Sequence, residues 1–381
     1  MVMPLGPDFA QALGIATSKI GLVGGSYTAA AACSGILGAM FLDRYDRRVA
    51  LGFAMMGLVV GTALGGFAQG LGSMILARVM AGCFGGPATS LSLAVIADTV
   101  PPARRGKALG KVMGAFSVAS VLGVPLGLEL ARAFSWRAPF FAVALLGSLL
   151  SVAALWFMPP MRSHLASAKR NSTAPLPPLL NRLTLLSLTN TALIMLGVFA
   201  VVPNISAFVQ HNLGFPRERI GFLYLVGGIA SFVAMRIVGS FVDRIGAARM
   251  VALGTCIYGV ALYTGFIQPL RFLPVLFVFT LLMLSGSVRM VPMQTLASRV
   301  PRPQQRARFM SVQSSVQHLA SAIGAMGASA FLVTQPSGAL VGLDRLAWLA
   351  LALASVVPFT ARRVELWIAK RDAIGNIAQP K

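Results

Sequence analysis

Long runs of apolar residues follow one another along almost the whole chain, and short polar loops separate them. Each run has about 20 residues, the length that an α-helix needs to cross a hydrocarbon core ~30 Å thick. The runs lack the alternating polarity of the shorter strands in a membrane β-barrel. The pattern therefore predicts an all-α polytopic membrane protein with eleven full spans, at residues 20–41, 49–69, 73–97, 108–131, 137–158, 183–208, 219–241, 250–268, 272–298, 308–334 and 340–361.

Composition and charge placement agree with a membrane protein and exclude a nucleic-acid-binding one. Of the 381 residues, 56% are apolar and 11% charged, and the formal net charge is +22. The basic residues lie in short loops, mostly in every second loop, and not on a basic face with interleaved aromatics. The positive-inside rule places the following loops and the C-terminal tail in the cytoplasm: Arg44, Arg47, Arg48; Arg104, Arg105, Lys107; Arg162, Lys169, Arg170; Arg244, Arg249; Arg302, Arg306, Arg308; Arg362, Arg363, Lys370, Arg371.

Two pairs of similar loops, each 200 residues apart, indicate an internal duplication. "FLDRYDRR" at 41–48 is echoed by "GSFVDRIGAAR" at 239–249, and "PPARRGKALG" from 101 by "PRPQQRARFM" from 301. Because the paired loops share a membrane side, the repeats are parallel. The predicted organisation is an N-terminal bundle at 1–158, a cytoplasmic linker at 159–182, a C-terminal six-helix bundle at 183–361 and a cytoplasmic tail at 362–381.

The two loops resemble the hallmark hairpin of the major facilitator superfamily, G-x-x-x-D-R-x-G-R-K/R. The second loop fits it well, and the first departs from it with Ala39 and Asp46 at the glycine positions. The matching residues are Asp43, Arg44, Arg47 and Arg48 in the first loop, and Gly239, Asp243, Arg244, Gly246 and Arg249 in the second. The resemblance covers essentially the whole chain and implies two helical bundles that alternate their access to the two membrane sides.

Two further motifs resemble the proton-antiporter branch of that family, the twelve-helix bacterial drug- and sugar-efflux permeases. "RVMAG", with Arg78 and Gly82, resembles the R-x-x-x-G motif of the family's fourth helix. "LGVPLG" resembles the glycine–proline motif of proton-coupled exporters, although Val124 stands where a glycine would precede the proline. Its motif residues are Gly123, Pro125 and Gly127.

The first bundle differs from the family in having five full spans preceded by "MVMPLGPDFAQALGI", which looks like the outer end of a first helix. We expect either a recorded start inside a longer reading frame or a truncated gene.

The resemblance implies a secondary active transporter of the bacterial inner membrane, multi-pass and monomeric, with a cytoplasmic C-terminus. We expect proton-coupled efflux of a small organic solute; the alternatives are an uptake symporter or facilitator, or a truncated non-transporting sensor or scaffold. The partners are then lipid, solute and protons, with no nucleic acid. The sequence has no phosphate loop, metal cluster or nucleophile–base pair, so we expect no enzyme, no metal and no cofactor besides the proton gradient.

The first hairpin is predicted to act as a cytoplasmic latch. In the family's outward-open state, the carboxylate at the position of Asp43 faces the start of the eleventh helix, here near Arg308. That helix start carries a partial positive charge. Asp98 lies within plausible reach of Arg47 or Arg48. The alternative is that these charges only set the topology.

Charges inside the spans are the other functional candidates, since each is costly in hydrocarbon. For proton coupling these are Arg78 and Glu129; the alternatives are an arginine that snorkels to the interface and a glutamate paired with Arg132. Arg289 is predicted to face the cavity and bind an anionic or hydroxylated substrate. The uncharged cavity candidates are Asn190, Gln317 and His318, with helix packing as the alternative for the histidine.

Overall fold

The computed structural model describes residues 2–42, 45–101, 119–161, 181–270, 272–301 and 306–377. Within the described residues, the N-terminal half consists of helices joined by turns. A 3₁₀ turn at Thr17–Lys19 leads into the second helix, and a π turn at Ala119–Gly123 leads into the fifth. The helices are α1 Gly6–Ala12, α2 Ile20–Phe41, α3 Arg47–Gly66, α4 Leu71–Thr99, α5 Val124–Ala133 and α6 Ala138–Phe157.

The C-terminal half adds seven helices and one short antiparallel hairpin. Strands β1 Val333–Thr334 and β2 Leu340–Val341 pair with Val333 opposite Val341. A 3₁₀ turn at Val202–Asn204 separates the first two helices, and another at Arg217–Arg219 precedes the third. The helices are α7 Arg182–Val201, α8 Ile205–His211, α9 Ile220–Ile245, α10 Ala247–Leu262, α11 Val275–Arg299, α12 Arg306–Phe331 and α13 Leu343–Ile377.

Nine helical segments within the described residues are long and apolar enough to cross a membrane. They coincide with nine of the eleven predicted spans. Of the other two, 308–334 is the 26-residue helix α12, and 108–131 lies partly outside the described residues. Large apolar side chains such as Trp156 and Phe157, 80% and 84% exposed, point away from the bundle, as lipid-facing positions should. The all-α polytopic prediction is confirmed.

The two halves meet along α2 and α12, and between α5 and α9. Gly21 and Gly25 let α2 approach α12 closely: a Cβ at Gly21 would collide with the carbonyl oxygen of Ala325 and lie 2.7 Å from the Ser329 hydroxyl. Small residues permit such close packing. We call the end of the bundle at which α2 and α9 begin, and α12 ends, the outer end. The loop charges predict that it lies outside the cytoplasm.

The last helix continues beyond its predicted boundary. The sequence predicted a span ending at 361 and a tail from 362, but α13 runs unbroken from Leu343 to Ile377. Contacts of Glu365, Arg371 and Asp372 with other helices hold this extension, as described below. Most of the predicted linker, residues 162–180, lies outside the described residues.

Candidate functional site

The arginine of the R-x-x-x-G motif lies inside the N-terminal half. Arg78 is two turns into α4, and its guanidinium carbon lies 4.5 Å from the centre of the Tyr27 ring on α2. Its Nε is buried and has no hydrogen-bond partner among the described residues. A cation over an aromatic face is favourable, most strongly when both groups are shielded from water. Arg78 is therefore held against α2 and does not extend to the outer interface.

Two glycines of α4 create the space that Tyr27 occupies. A Cβ at Gly82 would collide with the Tyr27 carbonyl oxygen and lie 2.8 Å from the Cβ of Ala30. A Cβ at Gly85 would collide with the Tyr27 hydroxyl and lie 3.0 Å from Cζ. The motif therefore works as one unit, in which Gly82 and Gly85 admit the tyrosine and Arg78 covers its ring.

The glycine–proline motif lies where the two halves touch. The π turn Ala119–Gly123 precedes Pro125, whose missing N–H leaves an upstream carbonyl without its helical partner. On the facing helix α9, a Cβ at Gly228 would be 3.2 Å from the Cα of Val121. Gly127 is buried. The turn that precedes the motif thus contacts the other half through Val121.

Glu129 does not occupy a shielded position. Its Oε2 accepts a hydrogen bond from Arg132 Nε at 2.8 Å, and the side chains are 49% and 55% exposed. This is the pair with Arg132 that we predicted as the alternative to proton coupling. Between the two proton-coupling candidates, the geometry favours Arg78.

Arg289 is buried inside the C-terminal half, 1% exposed, and does not line an open cavity as we predicted. Its guanidinium carbon lies 4.4 Å from the centre of the Tyr258 ring on α10. The Tyr258 hydroxyl donates to the carbonyl of Gly197 on α7 at 3.4 Å. The group therefore links α11, α10 and α7.

The uncharged candidates lie on α7 and α12. Asn190, fully buried on α7, accepts a short hydrogen bond from Thr360 of α13 through Oδ1, and its Nδ2 has no partner among the described residues. It packs between two helices of one half. Gln317 and His318 are half-buried on α12, the helix that contacts α2.

The first hairpin is only partly described. Asp43 and Arg44 lie outside the described residues, as does the side chain of Asp98, in the last turn of α4. Asp46 caps α3, since its Oδ1 accepts from the backbone N–H groups of Arg48 at 3.0 Å and Met161 at 3.1 Å. The Arg48 guanidinium donates to the carbonyl of Leu155, and buried Arg47 donates its N–H to the Met161 carbonyl at 3.2 Å. The latch itself stays a prediction.

The second hairpin uses a cap from a different helix. Gly246 has φ +91°, which favours glycine, and it separates α9 from α10. The Glu365 carboxylate of α13 accepts from the N–H groups of Ala247 and Ala248 at 2.8 and 3.3 Å. Asp243, Arg244 and Arg249 are exposed, and none of them forms an ion pair within the described part of the chain.

Polar contacts join the two halves at the outer end. Asp8 of α1 and Arg217 form a two-point ion pair, with Nε to Oδ1 at 2.6 Å and Nη2 to Oδ2 at 2.8 Å. Nearby, the Ser18 N–H donates to Thr334 Oγ1 at 2.9 Å, and the Thr17 hydroxyl donates to the Gly338 carbonyl at 3.2 Å. We call these residues the outer contact: Asp8, Arg217, Thr17, Ser18, Thr334 and Gly338. It closes the outer end of the interface.

Sequence reasoning missed Tyr27, Tyr258, Glu365 and the partner of Asp8. Only the two tyrosines could have been noticed from the sequence. Tyrosine occurs five times in the chain, and each of these two lies in a predicted span without acidic residues. The pairing of Asp8 with Arg217, or of Glu365 with α10, joins positions more than 100 residues apart and depends on tertiary packing.

Comparison with known proteins gives consistent matches. The model of the Major Facilitator Superfamily matches residues 1–325 and 187–362. The MFS-type transporter YwfA of Bacillus subtilis (strain 168) is 25% identical over 260 residues, 67% of this chain and 63% of that protein. The chain therefore spans less than two thirds of the length of that relative.

One relative and one solved structure widen the comparison. The chloramphenicol resistance protein of Streptomyces lividans is 26% identical over 266 residues, 67% of this chain and 66% of that protein. The crystal structure of a D-xylose-proton symporter superposes with a TM-score of 0.68 at 18% identity, covering 94% of this chain and 91% of that one. At that identity the likeness concerns the fold.

Proposed function

Because the chain belongs to the Major Facilitator Superfamily, and is a membrane transporter of that family, we propose that it exports a small organic solute in exchange for protons. The bilayer is its solvent, and its two halves alternate their access to the two membrane sides. Inner-membrane location, a cytoplasmic C-terminus and a monomeric state belong to the same proposal, as do the domain boundaries.

One observation carries the proton-coupled part, namely the shielded position of Arg78 on Tyr27. A guanidinium does not lose its proton in a protein, so Arg78 is not itself the proton carrier. Its unpartnered Nε–H can instead orient a water molecule or a solute group that carries the proton.

The direction of transport rests on similarity to efflux proteins. The chain is similar to a chloramphenicol resistance protein, and the motif at Gly123, Pro125 and Gly127 resembles that of exporters. The similarity to the D-xylose-proton symporter concerns the fold alone. The experiment must therefore distinguish export from uptake.

The test uses inside-out vesicles that contain the purified protein and have an acidified lumen. Thermal stabilisation first identifies, from chloramphenicol, a lipophilic dye and a pentose, the compounds that bind. We expect a binding compound to enter the lumen and discharge the pH gradient, and Arg78→Gln to lower the rate about 100-fold, within the usual contribution of a proton-transfer group. Arg132→Gln, at the exposed pair, is the matched control and keeps its rate.

Two results would contradict the proposal. A bound compound that crosses without proton movement would make the protein a facilitator. Protons and solute that move in the same direction would make it a symporter.

A further inference from the structure

Arg289 places a positive charge near the middle of a membrane span. It lies 14 residues after the first residue of α11 and 10 before the last, in the range Val275–Arg299. At 1.5 Å per residue, these are about 21 and 15 Å from the two ends. With 1% of its surface exposed, the side chain does not snorkel to either interface. An ionisable residue at this depth indicates function by default, because hydrocarbon does not solvate the charge.

Among the described residues, an aromatic ring stacks on the Arg289 guanidinium, but no carboxylate pairs with it. The guanidinium carbon lies 4.4 Å from the centre of the Tyr258 ring. The ion pairs among the described residues involve Arg132, Arg217, Arg299 and Arg371, and none involves Arg289. A ring face attracts the charge, but it does not replace the oxygen acceptors that guanidinium N–H groups require.

Two of its nitrogen atoms are left without acceptors. Nε and Nη1 are buried, and neither has a hydrogen-bond partner in the described part of the chain. The great majority of buried polar groups in proteins have a hydrogen-bond partner. Two unpartnered nitrogen atoms on one buried cation therefore need an explanation.

The surroundings hold Arg289 in place. A Cβ at Gly254 of α10 would lie 2.7 Å from Arg289 Cγ and 3.0 Å from the carbonyl carbon of Val288. The absent side chain at Gly254 therefore makes room for the stem of the arginine. Tyr258, one turn further along α10, receives the guanidinium. Gly254 and Tyr258 therefore position the side chain of Arg289.

We infer that Arg289 is an anion-binding site inside the C-terminal half. Its ligand is a carboxylate, phosphate or sulfonate group of the transported solute, or a small inorganic anion, since either accepts the orphan N–H donors and neutralises the charge. The assignment of the solute rests on the proposed function. The site itself rests on burial, position and the missing acceptors.

The test measures anion binding to the purified full-length protein in detergent. Its thermal unfolding is followed in a buffer of low ionic strength, into which sodium chloride or sodium benzoate is titrated, and the arginine variants are titrated in the same way. We expect one of the two anions to raise the melting temperature saturably, because a ligand that binds only the folded state stabilises it. Arg289→Gln raises the apparent dissociation constant about tenfold or more, in line with the loss of charge-assisted hydrogen bonds.

Arg236→Gln is the matched control. Arg236 also stacks on an aromatic ring of a spanning helix, with its guanidinium carbon 5.2 Å from the centre of Phe232, but it is exposed. Its variant should bind the anion like the unmodified protein. If Arg289→Gln does not fold, Gly254→Ala keeps the charge and displaces the arginine stem, and should weaken anion binding while binding to Arg236→Gln stays unchanged.

The outcomes distinguish a solute acid group from an inorganic anion as the ligand of Arg289. They also distinguish failure of the anion site from failure of proton-coupled export. Stabilisation by benzoate but not chloride assigns the site to the solute's acid group, and the reverse assigns it to an inorganic ion. No stabilisation by either anion, or equal stabilisation of Arg289→Gln, overturns the inference and shows a purely packing role. Since the assay uses no gradient, this failure leaves the proton-coupled export measured in vesicles unaffected.

Discussion

At the scale of single residues, two glycines of α4 determine how closely Arg78 approaches α2. Gly82 and Gly85 lie one and two turns beyond the arginine, and each removes a clash with Tyr27. A glycine inside a helix usually weakens it relative to alanine. Here the close approach of the two helices offsets that cost, because it places the aromatic ring of Tyr27 under the guanidinium of Arg78.

We predict that Gly82→Ala destabilises the protein and displaces Tyr27. The new methyl group would collide with a backbone carbonyl of α2, which cannot rotate away, so α2 must shift at a cost of about 1–3 kcal/mol. Thermal unfolding in detergent measures this. The control is Gly72→Ala on the same helix, where a Cβ meets nothing within 4 Å. Equal melting temperatures for the two variants would contradict the packing role.

At the scale of elements, the two hairpins solve the same capping problem with different residues. Position 46 carries an aspartate that caps α3 itself, and position 246, its counterpart 200 residues on, carries a glycine. A glycine has no side chain that can accept the N–H groups of α10. Glu365 on the extension of α13 supplies the missing carboxylate. The extension is also tied to the end of α11, where Arg371 donates to the carbonyls of Val300 and Arg299 at 2.8 and 2.9 Å.

We predict that Glu365→Ala loosens the second hairpin. It removes the acceptor of two backbone N–H groups at a helix start and the carboxylate that complements the positive end of the helix. The expected loss is about 0.5–2 kcal/mol, the range for N-cap removal, seen as a lower melting temperature. Glu218→Ala, an exposed glutamate at the outer end, should leave it unchanged. If Glu218→Ala lowered the melting temperature more than Glu365→Ala, the capping interpretation would be wrong.

At the scale of the whole molecule, the outer contact has the position of a gate. Alternating access requires that the halves part at the outer end in one state, and the outer contact joins them there. Its ion pair is less than one quarter exposed on either side and has two-point geometry, features that make a pair stronger than an isolated surface one.

We predict that Arg217→Ala increases opening at the outer end. The reporter is Thr17→Cys, because Thr17 is 8% exposed inside the outer contact, in a background without Cys33, Cys83 and Cys256. A membrane-impermeant maleimide added from outside should label it about 2- to 10-fold faster when Arg217 is replaced, the range for loss of about 0.4–1.4 kcal/mol. Arg132→Ala, whose pair joins residues of one helix, should not change the rate. Unchanged labelling in Arg217→Ala would show that the pair does not hold the halves closed.

The sequence by itself determined the class of fold, the positions of the spans and the location of the two hairpins. Apolar run length and loop charge are local properties, and the membrane imposes them on each helix separately. The same local signals found Arg78 and Arg289, because a cation stands out in an apolar run. They did not reveal the surroundings of these residues. Tyr27 and Tyr258 lie on other helices, and Arg289 lies behind Tyr258 and not at an open cavity. Those relations depend on how the helices are rotated against one another. Side-chain packing between distant segments sets that rotation, and only the tertiary structure decided it.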